Sequence, residues 1–148
     1  MYSYQFPRPA LTVDAVIFYR EKDKTEVLLI QRKKDPWKGM WAIPGGFLEA
    51  DETCEEGAKR ELEEETGLAG IDLKQFYVFD AIHRDPRERI ITIAHYGVTD
   101  KKHEVKGSDD ASDARWFDIS ELPPLAADHR EIIAKAVETA REQSAIDS

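Results

Sequence analysis

The chain has 148 residues, 41% hydrophobic and 34% charged, a composition that fits one ordinary globular domain long enough to bury a core. Its formal charge of −9 argues against nucleic acid as a partner, and the lack of a long apolar run or signal-peptide pattern argues against membrane insertion and export. A single cysteine, Cys54, cannot form an internal disulfide and is read as a packed small residue, which suits a reducing compartment and a cytoplasmic location.

Residues 11–19 and 26–32 are apolar, β-branched runs separated by the charged turn 20–24, and read as a hairpin or adjacent strands. A loop at 35–39 leads to a short strand at 41–43. The sequence Pro44-Gly45-Gly46 then lets the backbone turn tightly and approach a ligand. The next element is a helix over Cys54–Thr66. Thr53 is its N-cap, Glu56 completes a capping box, and Gly67 ends it in a left-handed conformation. Strands are expected at 72–83 and 89–99, joined by the turn Asp85-Pro86-Arg87-Glu88. A charged loop over 101–113, a short strand at 114–117 and the break Leu122-Pro123-Pro124-Leu125 follow. A final helix spans 129–143, with Ile132, Ile133, Ala136, Val137 and Ala140 at helical spacing and Asp128 as N-cap. Strands broken by one central and one terminal helix imply an α+β fold with a mixed sheet covered on both sides.

The central helix carries the chemistry. Glu61, Glu64 and Glu65 stand at i, i+3 and i+4 and share a face that is left outward, while Cys54, Ala58 and Leu62 form the apolar stripe that docks the helix. Residues 49–65 hold nine acids against Lys59 and Arg60. Each like-charge pair costs roughly 0.2–0.5 kcal/mol, and acids at a helix C-terminus oppose its dipole. A divalent cation reverses both effects, and hard oxygen donors select Mg²⁺, with Mn²⁺ as a substitute.

Gly46, Glu52, Arg60, Glu61, Leu62, Glu64, Glu65, Gly67 and Leu68 match all nine fixed positions of the Nudix box across 23 residues, and Trp41-Ala42-Ile43-Pro44-Gly45 resembles its lead-in. The resemblance implies an α/β/α sandwich that hydrolyses a nucleoside diphosphate linked to a further group. It implies Glu61 and Glu65 as leading metal ligands, Glu64 as a further ligand or the base, and the Gly45 carbonyl completing the shell. Glu52 either touches metal or only orients Arg60, which is read as positioning the acids. A loop acid beyond the box is an alternative base; of Glu104, Asp109, Asp110 and Asp113, Asp110 is preferred, beside the reading of a merely solvated loop.

Three further stretches resemble the ADP-ribose pyrophosphatase branch: residues 7–14, Arg84-Asp85-Pro86-Arg87, and residues 122–129. Arg84 and Arg87 are expected to grip phosphate or ribose oxygens, with Gly46 approaching the substrate through its backbone. His129, His83 and His95 are expected in packed or partly exposed structural roles. Tyr2, Tyr4 and Phe6 read as a packed N-terminal arm. The expected reaction is Mg²⁺-dependent cleavage of ADP-ribose to AMP and ribose 5-phosphate, in a homodimer. The alternatives are removal of pyrophosphate from a nucleoside triphosphate and a non-catalytic ADP-ribose sensor.

Overall fold

The computed structural model describes residue 3, residues 5–106 and residues 111–146, with only the backbone for 111 and 112. It contains β1 (Ala10–Glu21), β2 (Lys24–Arg32), β3 (Trp41–Ala42), β4 (Gly45–Phe47), α1 (Cys54–Thr66), β5 (Lys74–Phe79), β6 (Ile90–Thr99), β7 (Ala111–Asp118) and α2 (His129–Glu142). The seven strands form one mixed sheet. Among the described residues no helix is long and apolar enough to cross a membrane.

Two long strands organise the sheet. β1 runs parallel to β6 from Ala10↔Ile90 to Tyr19↔Thr99, and β5 closes the far side of β6 antiparallel. On its other edge β1 pairs with β2 only near the hairpin, from Phe18↔Val27 to Glu21↔Lys24. Further along the hairpin splays: Thr12, Val13 and Asp14 pair with Phe47, Gly46 and Gly45, while Ile30 and Gln31 pair with Ala42 and Trp41. Residues 41–47 therefore fill the fork between β1 and β2. The sequence reading placed Gly45-Gly46 in a loop, and the structure makes them strand β4. Glycine propensity disfavours a strand, but the open edge of β1 supplies partners for their backbone groups.

Alternation along β1 sends Val13, Ala15 and Ile17 to one face and Val16 and Phe18 to the other. The first set packs with Ala58 and Leu62 of α1, the second with Ile132, Ile133, Ala136 and Ala140 of α2. This is the expected sheet between two helical layers. The α1 caps form as the sequence specifies: Thr53 Oγ1 accepts from the Glu56 N–H, Glu56 accepts from the Thr53 N–H, and Gly67 adopts φ 78°.

Several edges differ from the sequence reading: β7, read as a short strand at 114–117 after a loop, spans Ala111–Asp118 and pairs antiparallel with β2. β5 ends at Phe79 rather than near 83, because Arg89 Nη1 donates to the carbonyls of Asp80 and Ala81 and closes a wide loop carrying Arg84, Asp85 and Arg87. His83 consequently lies exposed in that loop, whereas His95 is buried in β6. At α2, Asp128 makes no side-chain cap bond to the helix, since its carboxylate is occupied elsewhere.

Thr53→Ala is expected to lower folding stability by about 1 kcal/mol, because it removes one half of the capping box. Urea denaturation of the two proteins measures the difference.

Candidate active site

The splayed hairpin brings acids from both faces of the sheet to the two glycines. A side chain at Gly45 would strike Asp14 Oδ1 and the Val13 carbonyl, and one at Gly46 would strike the Glu61 carboxylate. Bare backbone is thus required at both positions. Glu65, one α-helical turn beyond Glu61, accepts a 2.8 Å hydrogen bond from the Gly45 N–H through Oε1. The sequence reading left the whole acidic face of α1 outward, but Glu65 is only 9% exposed. It lies three residues beyond Leu62 and seven beyond Ala58, so it continues the buried stripe and is carried inward by it.

These acids strain against their surroundings. Burial pushes the Glu65 carboxyl up to about 8; the Gly45 N–H opposes the shift, and Glu61 and Asp14 add to it. Asp14, 5% exposed on β1, is pushed up to about 7 by burial, with Arg84 opposing and Asp128 and Glu61 adding. Asp14 is a member of the cluster that the box spacing did not reveal, because it lies some thirty residues before the box.

Arg60 gathers the remaining acids. Its Nε and Nη2 donate to both carboxylate oxygens of Glu52 at 2.9 and 2.7 Å, its Nη1 donates to Glu61 at 2.6 Å and Glu64 at 3.3 Å, and Nη2 also reaches the Phe47 carbonyl. Glu52 accepts the Glu49 N–H as well. The Arg60 hydrogen bond, followed by that backbone bond, pulls the Glu52 carboxyl down to about 2. Both carboxylate oxygens of Glu52 are thus engaged by Arg60. Glu64 is the most exposed of this set, at 58%.

Asp110 and Asp109 lie outside the described residues. Glu104 is exposed, and Asp113 pairs with Arg115. The loop carrying Glu104 is tied to the end of α1 by the Lys106 N–H donating to the Thr66 carbonyl.

Among the described residues no three His, Cys, Asp or Glu side chains are arranged to hold a cation as they stand. Glu61 is turned to Arg60 instead. The donor set nevertheless fits a hard divalent ion: carboxylate oxygens at Glu61, Glu65 and Asp14, desolvated and mutually repulsive, with carbonyl oxygens nearby.

Beside the acids opens a cavity of about 240 Å³, lined at one end by Asp14, Gly45, Gly46 and Glu65 and also by Arg32, Trp37, Arg84, Arg87 and His129. Arg84 lines it, yet its donors are engaged: Nε and Nη2 form a two-pronged bridge to Asp128 at 2.8 Å each, and Nη1 donates to Thr92 Oγ1 at 2.7 Å and weakly to the Ile90 carbonyl. Thr92 continues the chain to Thr12. Arg84 therefore locks the β5–β6 loop to the start of α2, which also explains why Asp128 does not cap that helix. Arg87 is half exposed and held by Asp85 through Nε and Nη2. His129 Nδ1 accepts the Ile43 N–H at 2.9 Å, which fixes the segment entering β4. Burial pushes the imidazole down to about 4; Asp128 opposes, and Arg84 and Arg32 assist. His129 is thus neutral at pH 7, as acceptance at Nδ1 requires.

Residues 8–136 match the NUDIX domain family. The chain belongs to the Nudix family. It is 45% identical over 125 residues to an ADP-ribose pyrophosphatase of Methanocaldococcus jannaschii, covering 84% of this chain and 71% of that protein. It is also 32% identical over 135 residues to an ADPR-responsive transcriptional repressor of Acinetobacter baylyi, covering 88% of this chain and 54% of the repressor. Among solved structures, the NUDIX domain of Shewanella oneidensis NrtR complexed with ADP ribose superposes with a TM-score of 0.84 at 31% identity, over 90% of each chain. A MutT/nudix family protein of Enterococcus faecalis gives 0.87 at 30% identity, covering 96% of this chain and 66% of that one.

Arg84→Ala is expected to destabilise this Nudix fold by about 3–5 kcal/mol, because it strands the partly buried Asp128 carboxylate near Asp14. Adding Asp128→Asn should recover part of the loss, read by chemical denaturation. A second expectation concerns pH. The folded-state pKa of His129 lies below its unfolded value near 6.5, so its contribution is fully present above pH 6.5 and disappears as pH falls through about 4. The variant His129→Asn keeps an acceptor but does not titrate. Its stability relative to the parent should rise steadily between pH 6.5 and 4, as thermal unfolding across that range would show.

Proposed function

We propose that the protein hydrolyses ADP-ribose to AMP and ribose 5-phosphate with Mg²⁺ bound by the acids of α1. The observation that carries this is the convergence of Glu61, Glu65 and Asp14 on the two bare glycines at one end of the cavity. The likeness to an ADP-ribose pyrophosphatase across most of the chain supports the choice of substrate. A cytoplasmic setting and a homodimeric assembly belong to the same proposal.

When bound, the cation supplies a Lewis acid and a more acidic water. The chain's own groups do the rest. Glu61 and Glu65 would hold the ion, with Asp14 and the Gly45 carbonyl as further oxygen donors. Arg60, fixed by both oxygens of Glu52, keeps the box acids in register and holds Glu61 in place. The reaction adds the water oxygen to one phosphorus, breaks the bridging P–O bond, and leaves the bridging oxygen on the other phosphate. The water proton needs an acceptor. Glu64 is exposed on the same helix face and takes that role in this proposal, with Asp110 as the alternative. The two arms of the substrate need binding from beyond the box acids; the cavity wall at Arg87 offers it to one arm, and the Gly46 backbone approaches the diphosphate.

A sensor that binds ADP-ribose without turning it over would use the same cavity, and the likeness to a transcriptional repressor favours it. The complete set of box acids favours hydrolysis.

Chromatography of reaction products decides among the readings. With Mg²⁺ and ADP-ribose the expected products are AMP and ribose 5-phosphate, and Glu65→Gln should lower turnover about 10²-fold or more. Release of pyrophosphate from nucleoside triphosphates at higher kcat/KM would favour the triphosphate reading. Tight binding of ADP-ribose with no product would favour the sensor.

A further inference from the structure

The cavity has a second chemically distinct region. Trp37 lines it from the loop after β2, half-buried and with φ 66°, a conformation uncommon for a non-glycine residue. The loop is stapled around this ring. Arg32 Nε donates to the Pro36 carbonyl at 2.9 Å, the Gly39 N–H donates to the Arg32 carbonyl, the Met40 N–H to the Trp37 carbonyl, and Gln31 Nε2 to the Gly39 carbonyl. The indole is therefore held in place from the far side of the splayed hairpin. Nothing in the acid cluster uses it.

Arg87 lies over the ring, its guanidinium carbon 5.8 Å from the centroid, and is itself gripped by Asp85. Arg32 lines the same wall. Burial and then the neighbouring Arg87 push the Arg32 guanidinium below its ordinary value, with Glu65 and Asp85 opposing, so two cations face one small space. An aromatic face and paired guanidiniums complement a flat π-system with a phosphate close by, as in a nucleoside monophosphate. The cavity volume, about 240 Å³, is smaller than that of a typical site for a whole drug-sized ligand, about 300–1,000 Å³, so it suits one arm of a two-armed diphosphate.

We infer that Trp37 is the seat of the nucleobase: the adenine ring stacks on the indole in place of the Arg87 guanidinium, while Arg32 and Arg87 face the adjoining phosphate. The diphosphate then reaches the acids at Gly45 and Gly46, and the sugar arm lies outside this cavity. Arg87 keeps Asp85 as its partner when displaced, so the exchange leaves no charge stranded. This assignment rests on reading the site as a nucleotide pyrophosphatase, but it concerns binding of one product arm and is tested without turnover.

Calorimetric titration with AMP and with ribose 5-phosphate, on the full chain, provides the test. Base stacking on an aromatic side chain is worth enough that Trp37→Ala should bind AMP about 5- to 150-fold more weakly, while Trp37→Phe, which keeps a ring, stays within about threefold of the parent. Affinity for ribose 5-phosphate should not move in either variant. Circular dichroism establishes that both variants are folded; because Trp37 is half exposed in a loop, Trp37→Phe perturbs the least and serves as the folded reference. Three results would each overturn the assignment: no AMP binding by the parent protein, equal AMP affinity in parent and Trp37→Ala, or equal weakening for both ligands. AMP binding that depends on Trp37 in a protein inactive on ADP-ribose would uphold the base seat and sink the hydrolytic reading instead.

Discussion

The hydrogen bond from the Gly45 N–H to the buried Glu65 carboxylate is the constraint on which the site depends. It joins the last turn of α1 to the strand wedged into the β1–β2 fork, so the acidic helix and the glycine pair cannot move independently. Glu65 is drawn there by the docking stripe of Ala58 and Leu62, which buries it at a cost that the single N–H offsets only in part. The helix adds to the strain: its last turn carries no basic residue, and its C-terminal dipole opposes further negative charge. Packing energy from the two core layers holds acids together that electrostatics alone would separate.

The rest of the site is arranged around that strain. Arg60 neutralises the outer acids and leaves the inner pair, Glu65 and Asp14, to the more distant Arg32 and Arg84. Arg84 spends its donors on Asp128 and Thr92, and the neutral His129 fixes the Ile43 N–H, so the approach to β4 is held by one ionic and one uncharged contact. Rigid supports thus surround a cluster whose charge is unbalanced. That is the condition under which a divalent cation and an anionic substrate bind together.

Much of this was legible in the sequence where the signal is local. The capping box at Thr53 and Glu56, the left-handed Gly67 and the box acids follow from spacing along a single helix, and the two helical stripes follow from period alone. What was not legible depends on pairing across the fork. Gly45-Gly46 read as a turn because intrinsic propensity cannot see the open edge of β1. Asp128 read as a cap, since nothing in its neighbours announces an arginine 44 residues earlier. Asp14 sat in an apolar run and Trp37 in a loop, and only the splayed hairpin brings either to the cavity. Arg84 was expected to grip substrate oxygens; it lines the cavity, and its donors are engaged by Asp128, Thr92 and the Ile90 carbonyl.

The central claim is that the inner acids are held against their own repulsion for a cation, and thermal unfolding at pH 8 of the Glu61→Gln/Glu65→Gln protein, with and without Mg²⁺, tests it most directly. The folded-state pKa values of Glu65 and Asp14 are raised, so ionising these groups costs stability as pH climbs from about 4 through 8. Removing the Glu65 charge together with the Glu61 charge that adds to its repulsion should hold or raise Tm without Mg²⁺ and abolish the rise in Tm that the parent protein shows when Mg²⁺ binds its native state. A variant that loses stability without Mg²⁺ yet keeps the full metal-induced shift would contradict the account and place the principal cation site elsewhere.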